Sequence, residues 1–186
     1  MSTQQTLKDM EARMTSAIDA LGKDFASVRT GRASTALLDP IRVDYYGNPT
    51  PISQMASVST PDARTLVIQP WEASQLKEIE KAITKADLGI QPVNDGKLIR
   101  LTMPTPTEER RKQLVKVVRG LAEEGKVAIR NIRRDTMHDL RELRDAGEAG
   151  SDDEHRAEEA LQRLTDEKVK ELDALVKAKE EEILEV

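Results

Sequence analysis

Between residues 105 and 146 the apolar positions recur at helical spacing. Leu114, Val117, Val118, Leu121, Gly125, Ala128, Ile129, Ile132 and Leu143 fall on one side of a helix that turns about 100° per residue. Lys112, Lys116, Arg119, Lys126, Arg130, Arg133, Arg134, Arg141 and Arg144 fall on the other side. The separation predicts a long helix whose apolar side lies in a bundle and whose outer side is a continuous cationic ridge. Thr105-Pro106-Thr107-Glu108 reads as its start: Thr105 as N-cap, Pro106 at the first helical position, Glu108 returning to the cap. At about 1.5 Å per residue, roughly forty residues span on the order of 60 Å, too long for one compact globule of this size.

The rest of the pattern surrounds that helix. Leu7, Met10, Met14, Ile18, Leu21, Phe25 and Val28 step by threes and fours, predicting a first helix over 6–28 that tolerates Gly22. After Arg29-Thr30-Gly31 the periodicity changes. Residues 41–45, 64–68 and 99–103 read as strands, separated by turn chemistry at Gly47-Asn48-Pro49, Pro61-Asp62 and Asn94-Asp95-Gly96. A helix over 74–87, with Leu76, Ile79, Ile83 and Ala86 inward and Gly89 as its stop, lies between the later strands. A last helix opens on a second capping box, Ser151-Asp152-Asp153-Glu154, and carries Leu161, Leu164, Val169, Leu172, Leu175, Val176 and Ile183.

The expected fold class is therefore α+β and mostly α. Residues 1–30 and 105–186 form an antiparallel three-helix bundle, and residues 31–104 form a small inserted α/β domain. Two chain crossings join them, Arg29-Thr30-Gly31 and Met103-Pro104-Thr105-Pro106, and two crossings make a natural hinge.

Composition sharpens this picture. Aromatics are 2% of the 186 residues and charged residues 34%, which suits long exposed helices. There is no cysteine, so zinc-thiolate sites and cysteine nucleophiles are excluded and a reducing compartment, the cytoplasm, is expected. The polar opening MSTQQTLKDMEARM resembles neither a secretory nor an organellar leader, and no apolar run of about 20 residues predicts a membrane span.

The net charge of −5 argues against a polyanionic partner, but its distribution reverses that. Residues 107–146 hold 11 Lys+Arg against 8 Asp+Glu, whereas 151–186 hold 6 against 13. The local patch sets the potential that a polyanion meets. Few acids interleave the ridge, Glu123 being the clearest, and its densest part, Arg130-Asn131-Ile132-Arg133-Arg134, uses arginine, which forks onto phosphate. So few aromatics leave phosphate and shape readout of folded RNA rather than base stacking.

Catalytic chemistry finds no support. His138 and His155 lie on different helical segments without metal spacing, helix capping accounts for Asp152-Asp153-Glu154, and no phosphate loop of the GxxxxGK[ST] kind occurs. Trp71, Tyr45 and Tyr46 are read as core or edge residues of the insert. No cofactor or metal is expected. A helical scaffold offering apolar seams to other proteins is the alternative from another class.

Five stretches carry a resemblance: SVRTGRAS (27–34), DYYGNPTPI (44–52), ASVSTPDARTL (56–66), KAITKADLGIQP (81–92) and PTEERRKQLVKVVRG through RNIRRD (106–135). Through them the chain resembles the bacterial ribosome recycling factors over essentially its whole length. The resemblance implies an L-shaped monomer of tRNA-like dimensions that binds large-subunit rRNA. With elongation factor G and that partner's GTP hydrolysis, it would split the post-termination ribosome for reuse. It matches the family's rRNA-contacting arginines to Arg130 and Arg133, with Arg29 near the hinge, and suggests that the α/β arm meets the elongation factor. Gly125 departs from the better helix former expected there, and the tip at 145–151 adds nothing to the resemblance.

Overall fold

The computed structural model describes residues 2–185. Its elements divide into two compact units.

The larger unit holds the chain up to Arg29 and Lys112–Glu181. Helix α1 runs Thr3–Ser27, capped by the Ser2 hydroxyl, which accepts from the Gln5 N–H at 3.1 Å. It buries Thr6, Met10, Met14, Ile18, Leu21 and Phe25, one residue per turn on a single stripe. Helix α3 is unbroken from Glu108 to Asp145, and α4 follows from Ser151 to Leu184.

Cross-helix contacts give the directions. Arg119 meets Glu180, Lys126 meets Asp173 and Arg144 meets Glu154, so α4 runs antiparallel to α3. Arg13 meets Asp135, and a Cβ on Gly125 would touch Leu21, so α1 is antiparallel to α3 as well. The buried stripe of α3 is Leu114, Val118, Ala122, Ile129, Ile132, Thr136 and Leu140. Val117, expected inward, is half exposed; at about 100° per residue it sits at the edge of this stripe. Ala122, Thr136 and Leu140 complete the stripe beyond the positions expected, and of these only Thr136 is polar. Thr136 silences its hydroxyl on the Ile132 carbonyl at 2.8 Å.

Both predicted capping boxes are corrected. Thr107, not Thr105, caps α3: its hydroxyl accepts from the Arg110 N–H at 3.1 Å. This later start places Glu108 and Glu109 in the first turn, where carboxylates suit the helix dipole. At α4 the Glu154 N–H donates to the Gly150 carbonyl, and the Glu154 side chain turns to Arg144 instead of returning to Ser151. The tip between them is a Schellman close of α3. Gly147, at φ +72°, donates to the Arg144 carbonyl while the Glu148 N–H donates to the Leu143 carbonyl.

The smaller unit holds Thr30–Arg111 and the chain from Glu182 onward. Strands β1 (Arg42–Tyr45) and β2 (Asn48–Pro51) form a hairpin. Strands β3 (Ala56–Asp62), β4 (Thr65–Pro70), β5 (Val93–Asn94) and β6 (Ile99–Thr102) make an antiparallel sheet of order β3-β4-β6-β5. Helix α2 (Leu76–Lys85) follows a 3-10 turn at Ala73–Gln75 and packs on β1. Ala86, expected inward, is the exposed C-cap, and the chain already enters the left-handed region at Asp87 (φ 49°), before Gly89.

The core is Val43, Ile52, Leu66, Ile68, Ile79, Ile83, Ile99 and Leu101, all essentially inaccessible. Residues Leu66 and Ile68 alternate inward along β4, the strand between two partners. Strands β2, β3 and β5 were not predicted. The first two carry Pro49, Pro51 and Pro61, which an edge strand accepts because no ladder donor is needed on its open side.

Candidate nucleic-acid interface

The residues of the α3 ridge keep to one face. Lys112, Lys116, Arg119, Arg130, Arg134 and Arg141 are exposed, and Lys126 and Arg133 are half-buried. From Lys112 to Arg141 they cover roughly 44 Å of helix. Arg130 has 63% of its side chain in solvent, so it is not turned inward.

The ridge is more heavily countered than expected. Helix α4 supplies Glu180 to Arg119 at 3.0 Å and Asp173 to Lys126 at 3.3 Å. Glu123 reaches Arg130 at 2.6 Å. The α4 carboxylates lie 61 residues (Glu180) and 47 residues (Asp173) from their partners in sequence, beyond the reach of any single-helix reading. Arg29, Lys116, Arg134 and Arg141 make no hydrogen bond or ion pair among the described residues.

The paired cations remain available to phosphate. Exposed ion pairs contribute about 0–1 kcal/mol each, so a polyanion can displace the carboxylates without a large penalty. Arg133 is pre-set differently. Its Nε donates to Gln162 Oε1 at 3.1 Å, and the Gln162 amide nitrogen donates to Asp166 at 2.9 Å. That leaves the Nη1 and Nη2 fork unengaged and its plane fixed, the form in which a guanidinium grips phosphate oxygens. Gln162 and Asp166 thus form a hydrogen-bonded chain to Arg133 that sequence reasoning did not mark.

Arg144 leaves the ridge. Its Nη1 donates to both oxygens of Glu154 at 3.1 and 3.0 Å, and its Nη2 to Asp145 at 2.9 Å. Hydrogen bonding to Asp145, with Glu154 beside it, raises its pKa further. Glu154 is 6% exposed, so this pair locks the tip rather than facing a ligand. His138 and His155 are exposed and pair with Glu142 and Glu159 one turn on. Among the described residues no group of three His, Cys, Asp or Glu could hold a metal, and no helix is long and apolar enough to cross a membrane.

The residues expected at the two crossings differ in how firmly they are held, and the division between the units falls at Arg29/Thr30 and at Arg111/Lys112, past Met103–Pro106. Thr30 is buried, its hydroxyl donating to Glu182 at 3.2 Å, and Gly31 has φ +80°. Met103 is buried and tied to Arg64: its N–H donates to the Arg64 carbonyl at 2.7 Å, and its carbonyl accepts from the Arg64 guanidinium at 3.1 Å. Pro104 and Thr105 are exposed, and Pro106 is half-buried, outside any helix or strand.

Of the two places expected for the aromatics, core or edge, the structure gives the edge: Tyr46 and Trp71 are 72% and 67% exposed, and Tyr45 is half-buried at the end of β1.

With this geometry in view, known proteins can be set beside the chain. The family model for ribosome recycling factor matches residues 21–184. The ribosome-recycling factor of Brevibacillus brevis is 53% identical over 183 residues, covering 98% of this chain and 99% of that protein. That of Nitratidesulfovibrio vulgaris is 52% identical over 186 residues, covering the whole of both. A solution structure of a ribosome recycling factor superposes with a TM-score of 0.73 at 39% identity, covering 100% of this chain and 99% of that one. A second structure describes the T. thermophilus ribosome recycling factor and E. coli elongation factor G bound to the E. coli post-termination complex. Its matching chain gives a TM-score of 0.64 at 44% identity and covers 99% of this chain and 100% of its own. On identities of this size over nearly its full length, the chain belongs to the ribosome recycling factor family.

Proposed function

We propose that this chain binds the post-termination ribosome as a cytoplasmic monomer through the α3 ridge. With elongation factor G, whose GTP hydrolysis supplies the energy, it separates the subunits for reuse. The observation that carries the reading is the row of exposed cations on a helix held rigid by two partners. Arg130, Arg133 and Arg134 stand at its centre, and Arg29, Lys112, Lys116, Arg119, Lys126 and Arg141 extend it. Neutralising phosphates with these groups releases counterions, which supplies affinity without base reading.

The factor needs no active site of its own. In this reading residues 29–31 and 103–106 are the hinge, the bundle is the ribosome-bound arm, and the smaller unit receives the push from the elongation factor. Because Met103 is anchored to Arg64, the yielding residues on that crossing are Pro104–Pro106.

A covalent cross-link between the two units tests the mechanical part. Ribosome binding should survive the link and splitting should stop; normal splitting by the locked protein would rule out an obligatory swing. Arg133→Ala tests the contact itself. It should weaken large-subunit binding while leaving the melting curve nearly unchanged.

A further inference from the structure

Arg133 is held in a way that neighbouring cations of the ridge are not. Arg119, Lys126 and Arg130 each meet a carboxylate, from Glu180, Asp173 and Glu123, at 3.0, 3.3 and 2.6 Å. Arg133 meets a neutral amide: its Nε donates to Gln162 Oε1 at 3.1 Å. Gln162 Nε2 in turn donates to Asp166 Oδ1 at 2.9 Å. Gln162 and Asp166 are four residues apart on α4, so their side chains stack one turn apart, the spacing at which a glutamine and an aspartate pair.

The two partners fix which way the amide points. Turned over, it would set its NH2 against the Arg133 N–H and its oxygen against the Asp166 carboxylate, two repulsive contacts in place of two hydrogen bonds. The chain therefore has a direction, carboxylate to amide to guanidinium, and each link polarises the next. Asp166 forms no ion pair among the described residues, so its negative charge stays one amide away from the guanidinium.

This arrangement separates two effects that a carboxylate combines. A carboxylate on a guanidinium orients it but also cancels its charge, and Glu123 on Arg130 Nη2 occupies one arm of the fork as well. The amide takes the Nε–H alone, so Arg133 keeps its charge while its plane is set. A freely moving arginine gives up rotamer freedom when it grips a phosphate, and one already held gives up less.

We propose that Gln162 is a positioning residue for the phosphate contact of Arg133, with Asp166 setting the amide. The contact itself rests on the function proposed above. The brace adds which residue holds the arginine and why that residue is uncharged. Gln162 touches no phosphate in this arrangement and acts through Arg133.

The test is the affinity of the full chain for large ribosomal subunits across a salt series. Gln162→Met keeps the length of the side chain and loses both hydrogen bonds. It should weaken binding roughly threefold to tenfold, the scale of ordering one long side chain, and leave the salt slope unchanged because no cation is lost. In an Arg133→Ala background the same substitution should change nothing. Gln162→Glu retains an acceptor for the Arg133 Nε–H, yet it should bind at least as weakly as Gln162→Met because it cancels the charge it orients. Wild-type affinity in Gln162→Met or in Gln162→Glu overturns the proposal. So does a loss from Gln162→Met that persists at full size without Arg133, the mark of a defect in the bundle itself. Arg133→Ala binding like the wild type removes the contact and the brace together, whereas a weakened Arg133→Ala beside an unaffected Gln162→Met removes the brace alone.

Discussion

Gly125 of α3 lies against Leu172 of α4 so closely that a Cβ at this glycine would sit 3.2 Å from the leucine Cδ1. The same Cβ would stand 3.4 Å from Leu21 Cδ2 on α1, and both leucines are buried. The residue that looks like a flaw in a long helix sits where side chains of both other helices close in on α3.

A contrast between two glycines of α3 checks this. Gly120 has nothing within 4 Å of an added Cβ, so Gly120→Ala should stabilise by about 0.5–1 kcal/mol through helix propensity. Gly125→Ala gains the same propensity but must push two leucines, so its net change should lie near zero. Gly125→Leu should cost about 2 kcal/mol or more by overpacking. Thermal and urea melts of the three variants give the ranking.

The tip pair behaves as a unit. Arg144→Met leaves the Glu154 carboxylate buried without its main partner, so it should lower the melting temperature more than the double change Arg144→Met with Glu154→Met. A double-mutant cycle measures the coupling. A double variant whose loss equals the sum of the two single losses would show the pair to be independent.

The carboxylates that counter the ridge should limit its affinity. Asp173→Asn or Glu180→Gln frees Lys126 or Arg119 and should tighten ribosome binding about threefold each, the scale of an exposed ion pair. Equilibrium binding at fixed salt reads this directly, and weaker binding would show these acids to be positioning the cations instead.

The pH response of the smaller unit has two signs. The hydrogen bond to Glu72 raises the Tyr45 pKa, so this contribution is present below about pH 10 and is lost as pH rises through the raised value. Asp62 and Asp95 are lowered, Asp62 first by the Arg64 N–H and Asp95 by the Leu98 N–H, so their contributions hold above about pH 3.9 and fade as pH falls through the lowered values. Tyr45→Phe should flatten the alkaline limb of the stability profile and Asp95→Asn the acid limb. Melts from about pH 3 to 11 test both.

What could be read in advance followed from local periodicity. The three long helices declared themselves through Met10, Met14 and Ile18, through Leu114 and Val118, and through Leu161 and Leu172. Strands β1, β4 and β6 alternated visibly, whereas Pro49, Pro51 and Pro61 disguised β2 and β3 as turns. The cap of α3 was misplaced by two residues because Thr105 and Thr107 are both competent caps. On the ridge, the cations were legible because they share one helix, but their counterions and the Gln162 brace sit on α4 and appear only when the helices pack. Hydrophobicity alone left Trp71 and Tyr46 open between core and edge; a tyrosine preceding Gly47 in a hairpin turn was the signal that favours the exposed edge.

The most direct measurement is the affinity for large ribosomal subunits as a function of salt. It should be made for the wild-type chain and for Lys116→Ala/Arg134→Ala/Arg141→Ala, which removes three ridge cations that have no internal partner among the described residues. The wild type should lose affinity steeply as salt rises, and the variant's log–log slope should be shallower by about one per lost phosphate contact. A flat wild-type response, or an unchanged slope in the variant, would contradict the claim that the α3 ridge holds the ribosome.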